Sequence, residues 1–418
     1  MDSPPTGWRA RIAALLATPA RRRTAWCVFL LALWLPFLIK ALRGFRGDGN
    51  DFTILYDAAV TLAGGESPYG GAYMYPPFFA WALRPFTWLP MPVAGTLWAL
   101  AKIPLIYFAI RACARPDSPR RDRLFLYAVI PLLAYRYIQS DLGNGNTNVM
   151  ILGGLVAGLA LERRPIWGAA LAGAAAAIKL TPLYLVGVFA ATDRWRLALL
   201  FPAAALLWIV IGSTALPGGL SAAIDGFHGN SEAVFEVPPT DPDDPQRGYL
   251  PGQSLRPFLH RWLRDTDATA HDRKRVTVNV IDLPQDTVEW MYRGVAASLA
   301  LFGLWAAWRR PARWGFAWGC LLTLLISPYS RKAHFVLAIP ALVWIVELLR
   351  SRDHPRARWG LGLLILATVC GQLTSKGLWG KANSALLHGA GAVTWAGLAM
   401  FVALWVLRPE RRTSVNDG

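Results

Sequence analysis

The chain alternates apolar runs of roughly membrane length with short polar or basic intervals. Trp26 to about Leu42, Met91 to about Ile110, Leu124 to about Tyr137 and Val149–Leu161 are the first four runs. Ile166–Ala191 follows, and then Leu197–Leu216, Val288–Trp308, Trp314–Ile326, Phe335–Leu349, Leu361–Leu373 and Ala385–Leu407. The fifth run contains Lys179-Leu180-Thr181-Pro182, and a proline pushes the residue before it out of helical dihedrals. That run is expected to break into two helices with Lys179 at the turn, which brings the total to about twelve passes. The pattern predicts an all-α polytopic membrane protein.

Arginine placement orients it. Arg21-Arg22-Arg23, the 114–123 segment, Arg163-Arg164, Arg194, Arg196, Arg309-Arg310, Arg313 and the 350–358 segment all fall on one side if the fifth run is broken. An unbroken helix would put Arg194 and Arg196 on the other side and invert every later loop. The positive-inside rule therefore favours the break and a cytoplasmic arginine face. The expected divisions are a basic cytoplasmic arm over 1–24, one transmembrane domain over 25–408 and a cytoplasmic tail over 409–418. Outer segments 43–90 and 217–287 belong to the middle part.

The outer stretch from Asp51 to Pro90 has its own pattern. Phe52, Leu55, Ala59 and Leu62 recur at helical spacing, with Asp51 in the first turn, where a helix N-terminus favours a carboxylate. Gly64-Gly65 ends that helix and Pro68 to Gly71 forms a turn. Tyr75-Pro76-Pro77 leads into Phe78–Leu89, which is apolar but too short to cross a bilayer and reads as an interfacial helix carrying Trp81 and Trp88.

Composition narrows the class. Of 418 residues, 54% are hydrophobic, and the net charge is +17. The arginines sit in clusters between apolar runs instead of on one continuous face, so the charge points to topology and not to nucleic acid. The four cysteines all lie in apolar runs, so neither a disulfide nor a zinc site is expected. Asp241-x-Asp243 sits in a DPDDP context that reads as a loop and not as a metal-binding pair. No Gly-rich phosphate loop follows a strand pattern, so a nucleotide-binding site is not expected, and no cofactor is expected.

Four separated segments deliver polar residues to the outer side. They are Asp51, the turn from Gln139 to Asn148, Lys179, and Arg331-Lys332 with His334; the large loop adds Gln253, Ser254, Arg256 and Arg261. Each has a plain alternative. Asp51 also reads as a solvated loop charge, Lys179 as a snorkelling side chain, Arg331 and Lys332 as headgroup contacts, and Asp141, Asn144 and Asn148 as turn formers. Their convergence on one side weighs more than any single member.

The Asp51–Pro90 stretch also carries a resemblance: an acidic residue after the first apolar run, then AA…L.GG..PY, then YPP.FA…P…LP. It resembles glycosyltransferase family 87, polyprenyl-phosphate-sugar-dependent enzymes with a GT-C-like membrane fold. The family's Gly-Gln-x-Asn is met by Gly145-Asn146-Thr147-Asn148, its IK-x-x-P by Ile178 to Pro182, and its NQSL…R by Gly252 to Arg261. Its Ser-Pro-x-Ser-Trp-x-His-His is met by Ser327 to Ser330, with Arg331 for the Trp, Ala333 for one His, and His334 kept.

The resemblance implies transfer of a sugar, mannose by this likeness, from a polyprenyl monophosphate to a hydroxyl of a glycolipid or glycan at the outer face of a bacterial cell membrane. An arabinofuranosyl donor is the alternative of the same class, and a lipid or glycan transporter or flippase that of another. Asp51 is the expected general base. Lys179, Arg331, Lys332, His334 and Arg261 are the expected contacts of the donor phosphate. Tyr56, Glu66, Tyr69, Tyr75, Gln139, Asn144, Asn148 and Gln253 are the further candidate substrate contacts.

Overall fold

The computed structural model describes residues 18–44, 50–116, 118–235, 252–269, 276–350 and 354–409. Most of the expected basic arm, the tail beyond 409 and the Asp241–Asp243 pair lie outside them. The described residues are helical and contain no strand. The first helices are α1 (Pro19–Gly44), α2 (Asp51–Ala63), α3 (Pro77–Leu83), α4 (Met91–Cys113), α5 (Arg120–Leu133) and α6 (Tyr135–Gly143). Then come α7 (Asn148–Ala160), α8 (Pro165–Ile178), α9 (Leu185–Ala191), α10 (Trp195–Ser213), α11 (Gly219–Phe235) and α12 (Leu255–Leu263). The chain ends with α13 (Gln285–Ala307), α14 (Ala312–Ile326), α15 (Ile339–Arg350), α16 (Ala357–Gln372), α17 (Lys376–Gly389) and α18 (Ala392–Val406). Tight 3₁₀ turns cover Arg84–Trp88, Thr181–Tyr184 and Lys332–Ala338.

Among the described residues, four helical stretches are long and apolar enough to cross a membrane by length and composition: Pro19–Arg43, Met91–Cys113, Trp195–Ser213 and Lys332–Arg350. A fifth results if α16 and α17, bent by 87° at their junction, count as one span. α7, α8, α14 and α18 are apolar but shorter.

The structure differs from the sequence pattern in three places. The run expected over Leu124–Tyr137 divides at Ala134, whose φ of −89° and ψ of 8° leave the helical region, into α5 and α6. The 217–287 loop holds two helices, α11 and α12. The last run does not start at Ala385: α17 ends at Gly389 and α18 begins after Gly391, whose φ of 82° lies where only glycine is comfortable. The break at Lys179 is present, with Lys179 extended between α8 and the 3₁₀ turn that starts at Thr181.

Close helix contacts are made where side chains vanish. A Cβ on Gly158 would stand 2.8 Å from the Gly168 carbonyl, and one on Gly154 would stand 2.9 Å from the Ala175 Cβ, so α7 and α8 meet backbone to backbone. Small residues at such positions are how apolar helices associate where no hydrophobic force drives them together.

The bundle has two distinct ends. Arg313 donates to the Ala114 carbonyl at 2.7 Å, the Arg309 N–H to the Ala191 carbonyl at 2.9 Å, Arg194 pairs with Glu162 at 3.2 Å, and Arg350 pairs with Asp122. Those contacts gather five basic connections at one end. Asp51, Asn144, Lys179, Gln253 and Ser330 meet at the other.

Candidate active site

Local sequence places Asp51 at the first position of α2. The Asn50 side chain caps that helix by accepting the Phe52 N–H at 2.9 Å, and Phe52, Leu55, Ala58, Ala59 and Leu62 are buried beneath it. The Asp51 N–H donates to the Asn144 carbonyl at 2.9 Å, which ties α2 to the turn between α6 and α7. Trp98 on α4 donates to the Gly145 carbonyl at 3.0 Å and holds the same turn from below.

Gly145 has a φ of 67°, and a Cβ there would lie 2.3 Å from the Asn50 Oδ1 and 2.6 Å from the Phe52 Cβ. Gly145→Ala is therefore expected to push the α2 N-terminus away from the turn. The strain and the clash together are expected to cost about 1–3 kcal/mol of stability, as read by thermal melting.

Asp51 accepts a hydrogen bond from Asn146 Nδ2 at 2.6 Å. Asn146 is fastened in turn: its Oδ1 takes the Asn148 side-chain amide at 2.7 Å, and its carbonyl takes Lys102 Nζ at 2.5 Å. Lys102 forms an ion pair with Asp141 at 2.8 Å, both side chains being wholly buried, and the other Asp141 oxygen accepts from both nitrogens of Asn148 at 3.1 Å. Asp51 thus stands at the outer end of a chain of buried polar groups. Burial holds its carboxyl above the usual aspartate range, and Arg331, Lys179, Lys102 and the Asn146 hydrogen bond pull it back down.

Asp51, Tyr75, Asn146, Lys179, Arg331 and His334 line one cavity of about 260 Å³, with Ile54, Ile178 and Phe227 among its apolar walls. Lys179 reaches it because the Pro182 break ends α8 there, and its Nζ meets His334 Nε2. His334 Nδ1 accepts the Arg331 N–H at 2.7 Å, closer than the Arg331 carbonyl at 3.2 Å, so a neutral ring carries its proton on Nε2. Arg331 lies over the Tyr329 ring, 5.2 Å from its centre.

Other sequence candidates stand elsewhere. Arg261 is buried and donates to the Gly389 carbonyl at 2.6 Å, and Gln253 donates to the His388 carbonyl at 2.9 Å while its N–H meets the Ser330 carbonyl. Both bind the large loop to α17, Gln253 also binds it to Ser330, and neither lines the cavity. Arg256 pairs with Glu289 at 2.7 Å, with His260 at 3.0 Å from the same oxygen, so it too fastens α12 to α13. Burial depresses the His260 pKa to about 4.

Tyr56 donates to the Leu89 carbonyl at 2.8 Å, Gln139 accepts from Arg136, and Asn144 serves through its carbonyl. Glu66 and Lys332 are not in the cavity lining, and Asn148 acts on Asn146 and Asp141 instead of on the cavity. Tyr69 lines a neighbouring groove. Sequence reading missed Asn146 and Lys102. Signals for both existed: Asn146 occupies the Gln position of the family's Gly-Gln-x-Asn, and Lys102 is a lone cation inside an apolar run.

Fold and cavity together define an all-helical membrane protein with a carboxylate and clustered cations at one end of its bundle. The chain belongs to glycosyltransferase family 87, whose model matches residues 73–328, and is therefore a glycosyltransferase. Two relatives are each named polyprenol-phosphate-mannose-dependent alpha-(1-2)-phosphatidylinositol pentamannoside mannosyltransferase. The one from Mycolicibacterium smegmatis is 25% identical over 79% of this chain and 74% of its own length. The one from Mycobacterium tuberculosis is 25% identical over 96% of this chain and 91% of its own.

Proposed function

We propose that this protein transfers mannose from a polyprenyl monophosphate to a hydroxyl of a glycolipid or glycan, with Asp51 as the general base. The observation that carries the reading is the convergence of Asp51, Lys179, Arg331 and His334, from separate parts of the chain, on one cavity. The acceptor hydroxyl gives its proton to Asp51 as its oxygen bonds to the anomeric carbon. The bond from that carbon to the phosphate oxygen breaks on the opposite face, and the carrier phosphate leaves with the electron pair.

Lys179 and His334 Nε2 both present donors to the same point, and an anionic phosphate oxygen between them satisfies both. Arg331 adds a second cation. The two mannosyltransferase relatives support mannose, and the transporter alternative has no support from a family of transferases.

The gathering of arginines at the end opposite Asp51 supports an extracytoplasmic site in a bacterial cell membrane, with short apolar helices completing about twelve passes. A cysteine introduced at Glu66, in a background without the native cysteines, is expected to react with an impermeant reagent added outside intact cells.

The direct test is transfer of label from polyprenyl-phosphate mannose by the purified protein in nanodiscs, with the arabinofuranosyl donor run beside it. Turnover of the arabinofuranosyl donor alone would replace the sugar assignment; turnover of neither would sink the reading. The pH profile follows from Asp51 acting when ionised. The acid limb of kcat/KM is expected above the ordinary aspartate value of about 3.9. Asn146→Ala removes a bond that favours the charged form, so it raises the pKa and moves that limb to higher pH.

A further inference from the structure

A second hollow, of about 380 Å³, opens along α2 and shares Ile54 and Ala72 with the active-site cavity. Asp51, Ile54, Ala58 and Thr61 follow one another at helical three- and four-residue spacing, so they form a single stripe on α2. Ten residues of helix span about 15 Å. The two hollows are thus two halves of one trough, with α2 as the floor and the Ser67–Tyr75 loop as the side wall.

The halves differ in charge. The first faces Lys179 and Arg331, whereas the second presents, among the described residues, the carboxylate of Asp57 and no cationic side chain. Coulomb attraction favours a phosphate in the first half. The second half offers the hydroxyls of Thr61 and Ser67 beside Asp57. It also offers the half-buried Tyr69 ring, whose own hydroxyl is engaged by the Tyr75 carbonyl at 3.0 Å. Gly70 and Gly71 leave the opposite rim open, with nothing within 4 Å of a Cβ at either.

A few oriented polar groups beside an aromatic surface suit an uncharged sugar. Its hydroxyls donate to the carboxylate, and its C–H face rests on the ring. The geometry points to this second half as the acceptor subsite, holding a neutral saccharide so that one of its hydroxyls reaches Asp51. The assignment rests on the transferase reading above, in which the first half takes the donor.

Two variants approach the subsite from different sides. Asp57→Ala removes the carboxylate. Gly226→Ala, on α11, would place a Cβ 2.4 Å from the Tyr69 ring and displace it without touching Asp57. In nanodiscs with labelled polyprenyl-phosphate mannose, octyl mannoside and octyl dimannoside serve as acceptor probes.

Asp57→Ala is expected to raise the acceptor KM about ten- to a hundredfold, with the donor KM held at the wild-type value. Gly226→Ala is expected to move the same constant in the same direction. An unchanged acceptor KM in both variants, or a donor KM that rises in step, overturns the subsite. Wild-type protein that consumes the donor but glycosylates neither probe overturns the acceptor class alone. Wild-type protein that does not consume the donor overturns the proposed function and the subsite with it.

Discussion

Asp51→Asn is expected to lower kcat for mannosyl transfer by about a hundred- to ten-thousandfold, the usual contribution of a positioned base. The substitution keeps the side chain's shape and leaves an amide oxygen able to accept from Asn146, whose donor sits 2.6 Å from the Asp51 carboxylate. What disappears is the capacity to take a proton. Melting temperature and the donor KM should therefore stay near wild type while kcat falls, since at about 1.4 kcal/mol per decade the loss lies in the transition state alone. A variant with wild-type turnover would remove Asp51 from the chemistry and leave only its place in the cavity.

The second large effect concerns the buried pair beneath the base. Lys102→Met leaves Asp141 charged and without its ion partner inside the bundle, an arrangement expected to cost about 3–5 kcal/mol. Against a typical total stability of about 5–15 kcal/mol, the variant should melt at a markedly lower temperature. Lys102→Met combined with Asp141→Leu removes both charges and is expected to recover much of that stability, because a buried ion pair and an apolar pair of similar volume are often close in energy.

Activity should not recover with it. Asn146 and Asn148 lose the partners that hold them, so the hydrogen bond to Asp51 is no longer aimed. The double variant is therefore expected to melt above Lys102→Met but below wild type, with a depressed kcat. Full recovery of both would show that the pair serves stability only.

These two residues show where the sequence was and was not legible. Asp51 stood out because its signals are local: a carboxylate in the first turn, a helical stripe and a glycine stop within a few residues of one another. Lys179 was legible for the same reason, since Pro182 dictates the break beside it. Lys102 and Asp141 are 39 positions apart, and neither carries a local sign of the other. Arg261 and Gln253 match the family pattern, yet they bind carbonyls of α17 instead of facing the cavity. A motif names a residue type at a position, and the packing around it decides what the side chain can reach.

The sequence by itself determined the apolar helices, the proline break, the segregation of arginine to alternate connections and the carboxylate at the head of α2, because all four follow from short-range spacing and sterics. Only the tertiary structure decided that Asn146 is the group that holds Asp51, that Lys102 underlies it, and that the trough runs on past Ile54 towards Tyr69. Those relations depend on which helices approach closely enough to bring distant residues within about 3 Å of each other, and that is set by contacts such as Gly145 on Phe52 and Gly226 on Tyr69, which no local pattern contains.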